Sequence, residues 1–124
     1  MATRVFCASL KGIESQIVRV EIDSTPGIHT FTIVGLGDKA VQESIQRIDS
    51  AIKHSAFSPP RSKNKRFIVN LAPADIKKEG PGYDLAIAIA FLKETKQCQG
   101  STEHLLVVGE LGLDGSLAHS HGIL

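Results

Sequence analysis

The chain has 124 residues, of which 42% are hydrophobic and 22% charged, with a formal net charge of +1. That length suits one domain around a single core, the composition excludes a disordered chain, and the near-neutral balance excludes a general attraction to nucleic acid or anionic membrane. The longest apolar run, residues 85–92, is too short to span a bilayer, the N-terminus lacks the pattern of a secretory signal, and Cys7 and Cys98 have no metal-type spacing, so a cytoplasmic protein with reduced thiols and no membrane partner is expected.

The first third is strand-like. Residues 4–10 end at Lys11-Gly12, after which Val18, Val20 and Ile22 alternate with Arg19, Glu21 and Asp23, the period of a strand with one wet face. Thr25-Pro26-Gly27 reads as a turn in which proline presets φ and glycine allows φ above zero. Phe31 and Ile33 then alternate with Thr30 and Thr32, so three antiparallel strands are expected to open the fold.

Gly35-Leu36-Gly37 leads into DKAVQESIQRIDSAIKHS, where Val41, Ile45, Ile48 and Ile52 recur at helical spacing. Ser58-Pro59-Pro60 ends anything helical, because proline has no N–H to donate and restricts the residue before it. A basic loop, RSKNKR at 61–66, places Arg61, Lys63, Lys65 and Arg66 within six residues and leads into an apolar strand at 67–71. After the Gly80-Pro81-Gly82 corner, residues 85–92 are apolar around most of a helical circumference, which predicts a helix buried on most sides. Residues 105–108 read as a buried strand, and Asp114-Gly115 reads as a two-residue hairpin turn. The order predicts an α/β (α+β) sandwich with a mixed sheet and two main helices, one domain over residues 1–124. The sequence stops at Leu124 beside the second hairpin arm, as expected of a piece of a longer protein.

The candidate chemistry is sparse. Gly35-Leu36-Gly37 sits between strand and helix, but Ala40 occupies the third glycine position of a dinucleotide fingerprint and hairpins precede it, so a structural turn is expected. No phosphate loop of the GxxxxGK[ST] kind is present, and no serine lies in a GxSxG or SxxK setting. His119 and His121 share a side of an extended strand without a third ligand at recognisable spacing, so no metal is assigned. Backbone N–H groups at the Gly80-Pro81-Gly82 corner could meet an anion, but Glu79 and Asp84 compete for the same helix-terminal charge, which favours a tight entry into the helix. A solvated loop is the plainer reading of 61–66, because short basic runs are common; with one tyrosine and no tryptophan the chain offers no stacking platform for single strands, so the alternative, a DNA contact there, would run through phosphates.

The strings FTIVGLGDKAVQESIQRIDSAIKHSAF, NLAPADIKKEGPGYDLAIAIA and VVGELGLDGSLAHSHGIL, in that order, closely resemble the N-terminal domain of the magnesium-chelatase-like ComM family of bacterial AAA+ ATPases. The resemblance implies a Lon-protease-like domain placed before an ATPase motor, in a family whose hexamers drive DNA branch migration during recombination in natural transformation. ATP and Mg would bind the motor and not this segment. DNA, the motor domain and a homo-hexamer are the implied partners. In active Lon proteases the corner carries a nucleophile, and here Gly82 stands at the matching position. Leu124 matches the position of the Lon lysine base. With neither hydroxyl nor amine at these two places, the segment is expected to be non-catalytic, the alternative being a peptidase relic that binds or cleaves peptides.

Overall fold

The structure is a computed structural model that describes residues 3–11, 14–35, 38–60, 64–72, 83–97, 100, 106–107, 110–113 and 117–118. In chain order its elements are β1 (Thr3–Lys11), β2 (Glu14–Pro26), β3 (Thr30–Val34), α1 (Asp38–His54), β4 (Lys65–Ala72), α2 (Asp84–Glu94), β5 (Leu106–Val107), β6 (Glu110–Leu111) and β7 (Leu117–Ala118). Five strands form one mixed sheet in the order β3-β4-β2-β1-β5, and β6 and β7 form a separate antiparallel pair. The mixed sheet and the two helices expected from the sequence are present.

Alternation decides which way each strand faces. Val5 and Cys7 of β1, Val18, Val20 and Ile22 of β2, and Phe67, Val69 and Leu71 of β4 are all buried, as is Ile33 of β3. Residues between them point the other way, because successive strand side chains alternate across the sheet. Both helices cover the apolar face. α2 lies across β1 and β2, and α1 packs beside α2 and β3. Ile48 and Ile52 of α1 join the core, with Val41 and Ile45 partly buried against it, so all four residues that set the helical spacing face inward. Phe67 and Phe91 meet edge to face at 5.2 Å between ring centroids, and Phe31 packs on both. At the C-terminal end of α2, Glu94 accepts hydrogen bonds from the hydroxyls of Thr3 (2.7 Å) and Ser24 (2.8 Å), which fixes the helix over β1 and β2.

Two details depart from the sequence expectation. β3 does not pair with β2. β4 lies between them, antiparallel to β2 and parallel to β3. The physical reason is burial: β4 has three inward residues at 0–1% exposure, whereas threonine-rich β3 has one buried residue, so the more apolar strand takes the interior position. Secondly, α1 stops at His54, ahead of the prolines. Ala56 adopts φ 65°, while the Ala56 N–H donates to Lys53 O and the Phe57 N–H to Ile52 O, a left-handed cap that ends the helix by itself. α2 ends in the same way at Lys96, φ 60°. β6 and β7 pair Glu110 with Ala118 and Leu111 with Leu117, a register symmetric about position 114. The expected Asp114-Gly115 turn itself lies outside the described residues.

Two turns use glycine as expected. Gly27 (φ 149°) and Gly35 (φ 111°) occupy conformations that residues with a Cβ rarely adopt. At Gly27 a Cβ would also sit 3.0 Å from Arg66 Nε, so the absent side chain makes room for the arginine to lie across the turn.

Candidate functional site

The entry to α2 follows Gly82, which by resemblance stands where a Lon-type nucleophile would be and was expected to supply none, and the residues that the structure describes there turn inward. Tyr83 is 3% exposed and Asp84 is fully buried. Arg47, one side of α1 away, donates its Nε–H to Asp84 Oδ2 and forms an ion pair with it. Ser44 lies three residues before Arg47, a spacing that brings both to the same side of α1. Its hydroxyl lies close enough to Asp84 to favour the carboxylate, yet Ser44 Oγ and Asp84 Oδ1 both lack a hydrogen-bond partner of good geometry. Burial pushes the Asp84 carboxyl above its ordinary value, and Arg47 and Ser44 oppose that rise.

This cluster joins two helices. Arg47 cannot accept a proton, so it is no base for Ser44, and Asp84 is held by the guanidinium. Ser44 itself is 1% exposed. Nucleophilic catalysis needs a reachable nucleophile paired with a base, and this arrangement supplies neither. Its chemistry is spent on fixing α1 against the first turn of α2.

The sequence-derived sites fall unevenly. Gly82 and Leu124 lie outside the described residues, as do Arg61 and Lys63, and so do His119 and His121. Lys65 and Arg66 are described, and they are the first two residues of β4 rather than part of a loop. Both are exposed, but adjacent strand residues point to opposite faces, so these two cations do not form one patch. Arg66 lies on the open face of the sheet, against Gly27. On the same face, Glu21 bridges Arg19 (2.9 Å) and Arg4 (3.4 Å), a cross-strand triad that sequence reading did not single out. The alternation of Arg19 and Glu21 placed them on the wet face, but their pairing with Arg4 required the register Arg4↔Glu21. The Ser44–Arg47–Asp84 cluster was likewise missed. Its signal in the sequence is polar residues on the apolar side of α1 and a carboxylate at the head of an apolar run.

Among the described residues no group of three or more His, Cys, Asp or Glu could hold a metal. Cys7 is fully buried, and burial pushes its thiol up to about 12, so it is inert as a nucleophile near neutral pH. A cavity of about 220 Å³ lies between α1, α2 and β6, lined by Ile52, Leu85, Ala88, Ile89, Leu92 and Leu111 among others. Its walls are mostly apolar, with Ser55 the one polar residue among those that line it.

Residues 20–124 match the family described as subunit ChlI of Mg-chelatase. The chain belongs to this family. It is also similar to the competence protein ComM of Haemophilus influenzae, 38% identical over 121 residues, which cover 97% of this chain and 23% of ComM. The uncharacterized protein YifB of Escherichia coli is 39% identical over 107 residues, covering 86% of this chain and 21% of YifB. An uncharacterized protein of Mycobacterium tuberculosis is 36% identical over 122 residues, covering 98% of this chain and 24% of that protein. The ChlI-family chain therefore spans about a quarter of the length of the curated relatives it matches. The resemblance read from its sequence strings is the relationship these matches show. Among its described residues no helix is long and apolar enough to cross a membrane.

Proposed function

We propose that this ChlI-family chain is the non-catalytic N-terminal accessory domain of a ComM-like AAA+ ATPase, a Lon-like domain that supports hexamer assembly and DNA branch migration in natural transformation. The observation that carries the proposal is the extent of the ComM match: nearly all of this chain aligns with under a quarter of ComM, as one module of a larger machine would. The inward-turned entry to α2 supports a non-catalytic role, because Tyr83 and Asp84 are buried and Gly82 has no side chain to attack a substrate. ATP and Mg act in the motor beyond this segment. The setting is cytoplasmic, and the partners are the motor, other subunits and, through the assembled protein, DNA.

Two experiments test this reading. The isolated chain is expected to hydrolyse neither ATP nor casein-like and peptide substrates. A peptidase rate that survives repurification and vanishes on changing one specific serine overturns the assignment in favour of a working peptidase. The DNA contact is tested separately by changing Arg61, Lys63, Lys65 and Arg66 to glutamate in the full-length protein. Phosphate contacts release counterions, so affinity for branched and linear duplexes is expected to drop and its salt dependence to flatten, with folding intact. A ring presents several copies of each contact, which is why the hexamer is the form to measure. Unchanged affinity and slope remove these four residues from the DNA interface.

A further inference from the structure

The sheet ends on one side in the five-residue strand β3. Among the described residues β3 pairs only with β4, so along its other side alternate backbone N–H and C=O groups point away from the sheet. Natural edge strands are usually protected by lysine, proline, a bulge or a covering element. β3 has none of the first two: residues 27–35 contain no Asp, Glu, Lys, Arg or Pro. Its five residues pair with β4 in unbroken register, so it contains no bulge either.

Three exposed large hydrophobics surround this edge. Ile28 is 81% exposed just before β3, Val34 is 51% exposed at its end, and Ile68, 53% exposed, stands on β4 opposite Thr32. The strand is also anchored from within, since Ile33 is buried and Phe31 packs on Phe67 and Phe91. An anchored and uncharged edge, threonine-rich with exposed apolar residues around it, fits an extended backbone, and its sequence fits its own copy. Antiparallel pairing about Thr32 sets Thr32 against Thr32, Thr30 against Val34 and Phe31 against Ile33. These are β-branched and aromatic pairs of the kind that stabilise neighbouring strands, and no like charges meet.

We infer that the outer edge of β3, unpaired among the described residues, is a self-association surface, through which two copies of this chain pair β3 to β3 antiparallel and join two five-stranded sheets into one. The inference rests on the edge and does not depend on the proposed role in a motor.

The register makes the test specific. With Cys98→Ser in the background, Thr32→Cys is expected to form an inter-chain disulfide on mild oxidation, because directly opposed residues bring their Cα atoms within disulfide range, about 4.5–5.5 Å. Thr30→Cys alone and Val34→Cys alone are expected not to link, whereas an equal mixture of the two is. In light scattering the unmodified chain is expected to show a concentration-dependent species of twice the 13.3 kDa chain mass. Thr32→Lys places like charges face to face and is expected to weaken that species at least about tenfold. Thr32 is exposed, so the thermal unfolding of dilute Thr32→Lys protein should match the parent, and Val34→Lys gives a second variant with the same expected effect. A chain that remains monomeric at all concentrations, equal linking by Thr30→Cys alone and by Thr32→Cys, or dimerisation untouched by both lysines would each overturn the inference.

Discussion

The two faces of the sheet are written by the same alternation and built from different chemistry. On the covered face Val5, Val18, Val20, Ile22, Phe67 and Val69 are fully buried beneath α1 and α2. The open face carries Arg4, Arg19 and Glu21 in a charge triad, with exposed Ile17, Val34 and Ile68 among them. Burial of apolar area is worth about 25 cal/mol per Å², so the covered face accounts for the fold. Exposed ion pairs such as Arg19–Glu21 contribute about 0–1 kcal/mol, so the open face is free to vary in chemistry without unfolding the domain. The difference teaches where function can reside in this chain: on the open face, the edges and the connections, and not among the buried polar groups.

Substitutions can break that comparison. The largest loss is expected from Phe67→Ala, which empties the centre of the aromatic cluster and should cost about 3–5 kcal/mol in urea unfolding. A loss below about 1 kcal/mol would mean that the covered face is not the core it is taken to be. Next is Asp84→Ala, which leaves Arg47 without its partner inside the helix layer and should cost about 2 kcal/mol, less than a fully buried pair because Arg47 reaches water.

Asp84 also gives a pH signature. Its carboxyl titrates above the ordinary value of 3.8 when folded, so between those two values the folded state binds more protons than the unfolded one. Its contribution to stability therefore falls as pH rises from about 3.8 through the raised folded value, and is flat above it. Asp84→Asn is expected to lack that decline, so the difference in unfolding free energy between parent and variant should itself fall as pH rises across an acid series. An identical pH dependence in the two proteins would place Asp84 outside the buried cluster.

Smaller effects sharpen the contrast. Ala56 and Lys96 hold left-handed conformations at the ends of α1 and α2 at a steric cost that glycine avoids. Ala56→Gly is expected to raise stability by about 1 kcal/mol, read as an upward shift in the thermal midpoint. On the open face, Ile68→Thr should change the stability of dilute protein by no more than about 0.5 kcal/mol.

The sequence made the covered face legible almost residue by residue. Val18, Val20 and Ile22 announced their direction by alternation, and Ile48 and Ile52 by helical spacing, because hydrophobic period is a local signal. Strand order was not local. Nothing within 30–34 states that its neighbour is 65–72 rather than 14–26, and the outcome turned on which strand buries more apolar surface. The helix ends escaped for a related reason: prolines at 59 and 60 were visible, but an alanine in a left-handed cap carries no compositional mark. At the candidate site, Gly82 was legible only through family resemblance, and Arg47–Asp84 joins residues 37 positions apart that no spacing rule connects. Lys65 and Arg66 read as one basic run in sequence, and the pleat of β4 separated them.

The central claim, that this chain serves a motor rather than a reaction of its own, is tested most directly by removing residues 1–124 from the full-length protein. ATP hydrolysis, oligomer mass with a non-hydrolysable nucleotide, and branch migration of a four-way DNA junction are then measured on the truncated and complete proteins. The account predicts that the truncated protein still hydrolyses ATP but loses the hexamer and junction migration, and that adding the isolated chain supplies no hydrolytic activity. Junction migration at the full rate by the truncated hexamer would contradict it.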